Sequence, residues 1–147
     1  MKLPQSLLTL LAQPSTCYVA TTMPDGSPQL TQTWVDTDGE HILVNTVQGY
    51  QKIRNMERDP RVAVTVSDPA NPSRYFAVRG RVLEVTPEGA ADHIEKLAPR
   101  YLGGPYPWFG GRTRPGWRSA AALPGGTRRP EPRRAPALGS RPPRPPQ

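Results

Sequence analysis

The sequence predicts a mainly β, α+β domain: a small β-barrel with peripheral helices and a disordered C-terminal tail. Short β-branched segments recur between Pro, Gly and Asp turns, three stretches carry helical spacing, and the composition changes abruptly near Gly110. Residues 1–110 hold ten Lys or Arg against eleven Asp or Glu, whereas 111–147 hold nine Arg against Glu131 alone. The formal net charge of +7 is therefore −1 from the body and +8 from the tail. The basic character is a property of the tail and gives no reason for the body to bind nucleic acid.

Each element has its own signal. Ser6 to Ala12, Leu-rich and bracketed by Pro4 and Pro14, reads as an amphipathic first helix. It is too short to span a bilayer and is followed by no small-x-small cleavage site, so a cytoplasmic protein is expected. Cys17 to Thr22 reads as a first strand, Pro24 to Ser27 as a turn, and Pro28 to Val35 as a second strand. Asp38-Gly39 closes a hairpin into a third strand, Glu40 to Thr46, completing a meander. Tyr50 to Arg58 follows as a helix ended by Asp59-Pro60, and Arg61 to Ser67 alternates strictly as a fourth strand. The loop 68–73 leads to a fifth strand, Arg74 to Val85, in which Gly80 suggests a bulge or bend. Thr86 is the expected N-cap of a helix opened by Pro87-Glu88 and running to about Tyr101. The barrel edge then wants one more strand, and residues 112 onward do not read as one.

Function is concentrated at the junction Asn45 to Asn55. An apolar strand ends, Gly49 permits a tight turn, and a helix begins with Lys52 in its first turn. Free amides at a helix start and the macrodipole favour an anion there, and the Lys52 side chain leans back toward the same point. The junction is built to hold a phosphate. Other chemistry is sparse. The single Cys17 excludes an internal disulfide and reads as a buried structural thiol, since no activating base lies near it in sequence. His41 and His93 are read as surface or core residues, and Asp36 and Asp38 as members of a hairpin turn. No metal-ligand spacing occurs, so no metal site is expected, and with both imidazoles read as surface or core residues no catalytic acid or base is singled out.

The ordered segments Val19-Ala20-Thr21-Thr22, Asp25-Gly26-Ser27-Pro28-Gln29, Trp34-Val35-Asp36, Leu43-Val44-Asn45-Thr46, Lys52-Ile53-Arg54-Asn55, Arg58 to Ala63 and Val78-Arg79-Gly80-Arg81-Val82 resemble the pyridoxamine 5′-phosphate oxidase-like split β-barrel family. Within that FMN-binding-like class, the chain is similar to the actinobacterial branch that uses the deazaflavin coenzyme F420. The likeness runs over about residues 5–107. It implies a homodimer with cofactor grooves at the subunit interface, and an oxidoreductase in which reduced F420, or alternatively FMN, hands a hydride to an organic acceptor. Carried over by position, ring contacts fall on Gln32, Thr33, Trp34, Val35, Asn45 and Thr46, and phosphate contacts on Tyr50, Lys52 and Asn55. Arg74 and Tyr75 resemble positions that reach into the partner's groove. FMN-using oxidases of the family tend to place extra Arg and Ser on the phosphate; Tyr50 and Gln51 stand just before Lys52 here, which leans toward F420.

A rival expectation is a non-catalytic barrel whose basic tail binds an acidic partner. The body's aromatics are not interleaved with cations as single-strand binders require, so nucleic acid is not expected. The tail, residues 111–147, holds nine of the twenty prolines and few large apolar residues. It is expected to be disordered. Its Ala, Pro, Gly and Arg are also what GC-rich codons specify in a shifted frame, so a frameshifted or otherwise non-homologous C-terminus, leaving one barrel edge unpaired, is the expectation for 112 onward.

Overall fold

Seven antiparallel strands and three helices make up the computed structural model, which describes residues 2–47, 49–107 and 117–124. In chain order they are α1 (Gln5–Leu11), β1 (Thr16–Thr22), β2 (Pro28–Thr33), β3 (Val35–Thr37), β4 (Ile42–Val47), α2 (Gln51–Arg58), β5 (Arg61–Asp68), β6 (Asn71–Thr86), α3 (Ala90–Leu102) and β7 (Trp117–Pro124). The sheet order is β2-β1-β5-β6-β7-β4-β3.

That order revises the expected meander. The second strand is two strands: β2 pairs with β1, the chain turns at Trp34, and β3 pairs with β4. The two edges of the sheet are thus consecutive in sequence, so the sheet curls into a split barrel closed by the chain itself. The Thr33 hydroxyl crosses the gap and donates to the Asn45 carbonyl at 3.3 Å. The β5–β6 turn is tighter than the expected 68–73 loop, because Asp68 already faces Asn71 and its carboxylate accepts from the Ala70 amide. Gly80 sits in regular register against Val62 and Pro124; the irregularity against β7 falls between Val82 and Glu84, leaving Leu83 exposed. α3 begins at Ala90 rather than Pro87, because Gly89 takes a left-handed φ of 69° that turns the chain into the helix. Thr86 ends β6, and its hydroxyl accepts from the Glu88 amide instead of capping.

The largest correction concerns the C-terminus. Residues 117–124 do supply a strand: β7 pairs with β4 along 42–47 and with β6 along 80–86, so the edge expected to stay open is filled. The expectation of disorder for the remainder of 111–147 lies outside the described residues.

Apolar positions on alternate residues of β1 and β5 point inward, placing Cys17, Val19, Val62, Val64 and Val66 in one cluster with Val35, Ile42 and Val44. α1 plugs one end with Leu7, Leu10 and Leu11, each at most 1% exposed. Each such leucine contributes about 2 kcal/mol by leaving water. α2 closes the other side with Ile53 and Met56, and α3 buries Ala90, Ile94, Leu97 and Ala98.

Candidate functional site

β4 delivers Asn45 and Thr46 to the site with side chains buried, Gly49 at φ 87° makes the turn that only glycine adopts without strain, and Tyr50 stands as the N-cap of α2. Among the described residues no side chain caps this helix start. The amphipathic spacing of α2 turns Lys52, Ile53, Asn55 and Met56 inward, so Lys52 is carried under with the apolar face and is 8% exposed. Among the described residues no carboxylate or acceptor meets its ammonium. Burial lowers the Lys52 pKa from its ordinary value, and the neighbouring thiol of Cys17, itself pushed up to about 12 by burial, offers no negative charge at neutral pH. Among the described residues nothing compensates the Lys52 charge.

It faces a cavity of about 550 Å³ lined by Gln32, Thr33, Trp34, Asn45, Thr46, Tyr50 and Lys52, together with Pro14–Thr16, Pro69, Ile94, Tyr101 and Tyr106. One wall is aromatic: the Trp34 and Tyr101 rings stack with centroids 5.1 Å apart, and Tyr106 meets Trp34 edge-on at 6.2 Å. Tyr101 is fixed because its hydroxyl accepts from the Val35 amide at 3.2 Å and reaches the carbonyls of Ser15 and Val35 at 3.3 Å. Burial raises its pKa, so it stays a phenol. The lining also carries polar atoms: Asn45 Oδ1 and Thr46 Oγ1 are buried and, among the described residues, have no hydrogen-bond partner. Such orphaned atoms are costly unless something in the cavity satisfies them. A second hollow of about 430 Å³ adjoins through Gln32, Tyr50 and Lys52 and adds Gln29, Thr31, Gly49 and Gln51. Thr31 Oγ1 is likewise buried and, among the described residues, without a partner.

Seven of the nine expected cofactor residues therefore come together; Val35 and Asn55 do not. Val35 is fully buried among core side chains, and its contribution is the backbone amide that holds Tyr101. Asn55, also fully buried, is consumed by the fold. Its Nδ2 donates to Thr21 Oγ1 at 3.0 Å and Gln29 Oε1 at 3.2 Å, and its Oδ1 accepts from Gln51 at 2.8 Å and Arg58 at 3.1 Å. It pins α2 to the β1–β2 hairpin and has nothing left for a phosphate. Arg74 lies 3.9 Å from Asp68, and Tyr75 is 40% exposed on the outer face of β6.

Sequence reasoning missed Thr31, Tyr101, Tyr106 and Asp36. Thr31 had a signal, since alternation along β2 puts it on the same face as Thr33. Asp36, expected in a turn, lies instead in β3 at 3% exposure and meets Lys96 Nζ at 3.0 Å, Arg100 Nη1 at 3.2 Å and His93 Nε2 at 3.2 Å. Burial alone would raise the Asp36 pKa, but hydrogen bonds from Lys96, the Thr37 amide and Arg100 outweigh it and hold the carboxyl below its usual value. This cluster ties α3 to β3 and sets the helix that carries Ile94 and Tyr101 into the cavity. Among the described residues no group of His, Cys, Asp and Glu could hold a metal, and no helix is long and apolar enough to cross a membrane.

Comparison with known proteins agrees with this fold. The family model for pyridoxamine 5′-phosphate oxidase matches residues 3–116. A structure of an F420 reductase is 33% identical, with a TM-score of 0.72 over 84% of this chain and 97% of that one. A conserved hypothetical protein of Mycobacterium tuberculosis is 26% identical, with a TM-score of 0.59 over 81% of each chain. General Stress Protein 26 of Bacillus anthracis, 17% identical, shares the fold with a TM-score of 0.60 over 82% of this chain and 87% of its own.

Proposed function

The chain belongs to the pyridoxamine 5′-phosphate oxidase family of flavin-binding oxidoreductases, and from that premise we propose that it uses reduced deazaflavin coenzyme F420 to transfer a hydride to an organic acceptor. The observation that carries this reading is the buried Lys52, with no counter-charge among the described residues, on the same cavity as Asn45 Oδ1 and Thr46 Oγ1, which have no partner among them. A tricyclic ring with a phosphate-bearing side chain supplies both missing complements: N–H donors for the acceptors and an anion for the cation.

When bound, the coenzyme supplies the hydride; this chain's residues bind, orient and exclude water. The stacked pair Trp34 and Tyr101 gives the ring a flat apolar wall. Lys52, the Thr31 hydroxyl and the free amides at the start of α2 are suited to the phosphate. No side chain is assigned as acid or base. The F420 reading, in preference to FMN, is supported by the similarity to an F420 reductase and by Tyr50-Gln51 just before Lys52. Fluorescence titration with F420 and with FMN tests it: tighter F420 binding is expected, and equal or tighter FMN binding overturns it. A screen of quinones, enones and tetrapyrroles with reduced F420 then identifies the acceptor class.

A homodimer is part of the proposal. The outer face of β2-β1-β5-β6 carries the exposed Leu30 and Tyr18 beside the small residues Ala20, Ala63 and Ala77, a surface that a second copy can approach closely.

A further inference from the structure

Asn45 stands where α3 meets the cavity, and two neighbours orient its carboxamide. Nδ2 donates to the Ala90 carbonyl at 2.8 Å and lies 3.2 Å from His93 Nδ1. A backbone carbonyl can only accept, so the amide nitrogen, not the oxygen, must face Ala90. Its second hydrogen then meets His93 Nδ1, which must be the accepting nitrogen. The imidazole proton is therefore on Nε2, 3.2 Å from Asp36 Oδ2, where it donates to the carboxylate. What remains is Asn45 Oδ1, buried and, among the described residues, without a partner, on a residue that lines the cavity.

We propose that His93 is a positioning residue: while neutral it locks the Asn45 carboxamide with its oxygen as an obligate acceptor for a bound ring that presents an imide N–H, and protonation of His93 breaks the lock. A proton on Nδ1 would set two donors against each other at 3.2 Å. Turning the amide over relieves that clash but drives Oδ1 against the Ala90 carbonyl oxygen, so neither arrangement satisfies all groups. Among the described residues, the charges facing His93 include Asp36 from β3 and Lys96 and Arg100 from its own helix. Burial, Lys96 and Arg100 lower its pKa below the ordinary 6.5 against the opposing pull of Asp36. The lock is closed at neutral pH and opens on the acid side.

The ligand half of this inference rests on the cofactor reading above; the lock itself does not. NMR of the ¹⁵N-labelled, cofactor-free full chain tests the lock. At pH 7.5 the His93 imidazole should be the Nε2–H tautomer, and on acidification the Asn45 side-chain amide resonances should follow the titration of His93. An Nδ1–H tautomer, or an Asn45 amide indifferent to that titration, overturns the proposal. The consequence is read by binding of oxidised F420 and of riboflavin, which lacks a phosphate, between pH 5 and 8. Affinity of the wild type should fall about three- to tenfold through the His93 titration, the loss of one hydrogen bond. His93→Asn keeps an acceptor near Nδ1 without a titratable proton and should bind with a flat profile. His93→Ala should bind weakly throughout. A His93→Asn profile that falls like the wild type's overturns the positioning role. If no cofactor binds the wild type at any pH, the cofactor reading fails and the NMR result alone decides the lock.

Discussion

The indole of Trp34 lies parallel to the ring of Tyr101, the planes 6° apart, so the corner where the barrel splits is held by a residue near the end of α3. Tyr101→Phe keeps the stack and removes the hydroxyl that accepts from the Val35 amide. The expected loss is about 1 to 2 kcal/mol of stability, a buried donor left without its partner. Urea unfolding measures it, and cofactor affinity should change less than twofold. An unchanged midpoint would show that water replaces the phenol at no cost.

Lys52→Met is expected to act in opposite directions on binding and stability. Cofactor affinity should drop roughly ten- to hundredfold, through loss of a charge-assisted contact of about 1.5 to 3 kcal/mol. The melting temperature without cofactor should rise, because a buried cation with no counter-ion among the described residues is exchanged for an apolar chain of similar length. Paired titration and thermal scans check both; unchanged affinity would mean that Lys52 does not face the ligand.

Asp36→Asn leaves Lys96, Arg100 and His93 around a neutral amide, and about 3 kcal/mol of stability should be lost at pH 7. Because the folded carboxyl titrates below the usual 3.8, its contribution is present above that pH and lost as pH falls through the folded value. Unfolding curves of the variant should therefore be flatter than the wild type's below pH 3.8, and the two should converge in acid. Parallel curves would remove Asp36 from the acid limb.

Two truncations isolate the contribution of β7 from that of residues 125–147. A chain ending at Pro124 should melt like the full chain, whereas one ending at residue 116 should aggregate or lose its transition, since β4 and β6 would both expose unpaired edges. Identical melting of the two truncations would show that β7 adds nothing. Sequencing the locus and reading its alternative frames tests whether the 112–147 segment arises from a frameshift.

Sedimentation at micromolar concentration should give a dimer, and Leu30→Arg, placed on the small-residue outer face, should shift it toward monomer. A monomer that binds cofactor with full affinity removes the shared-groove part of the proposal.

The legibility of each feature depends on how local its cause is. Alternation of Val62, Val64 and Val66 announces β5, and the turn chemistry of Asp38-Gly39 announces the β3–β4 hairpin, because neighbours in sequence decide both. The split at Trp34 is hidden: residues 28–37 keep one extended pattern, and the break appears only because β1 and β4 lie apart in the sheet. Asp36 is misplaced for the same reason, its three partners lying 57, 60 and 64 residues away. Asn55 shows the converse error, where a polar residue beside Lys52 is spent on the β1–β2 hairpin. β7 is illegible because Ala-rich sequence has little strand propensity of its own, and its pairing with β4 and β6 overrides it.

The place of β7 between β6 and β4 also fixes a timetable for synthesis. β4 is complete at residue 47, but its partner begins at residue 117, so the ribosome must add about 70 residues before that edge can be covered. At about 5–20 residues per second the nascent chain carries an open strand for roughly 4 to 14 seconds. Until β7 emerges, the β4 edge stays open to pairing with other chains.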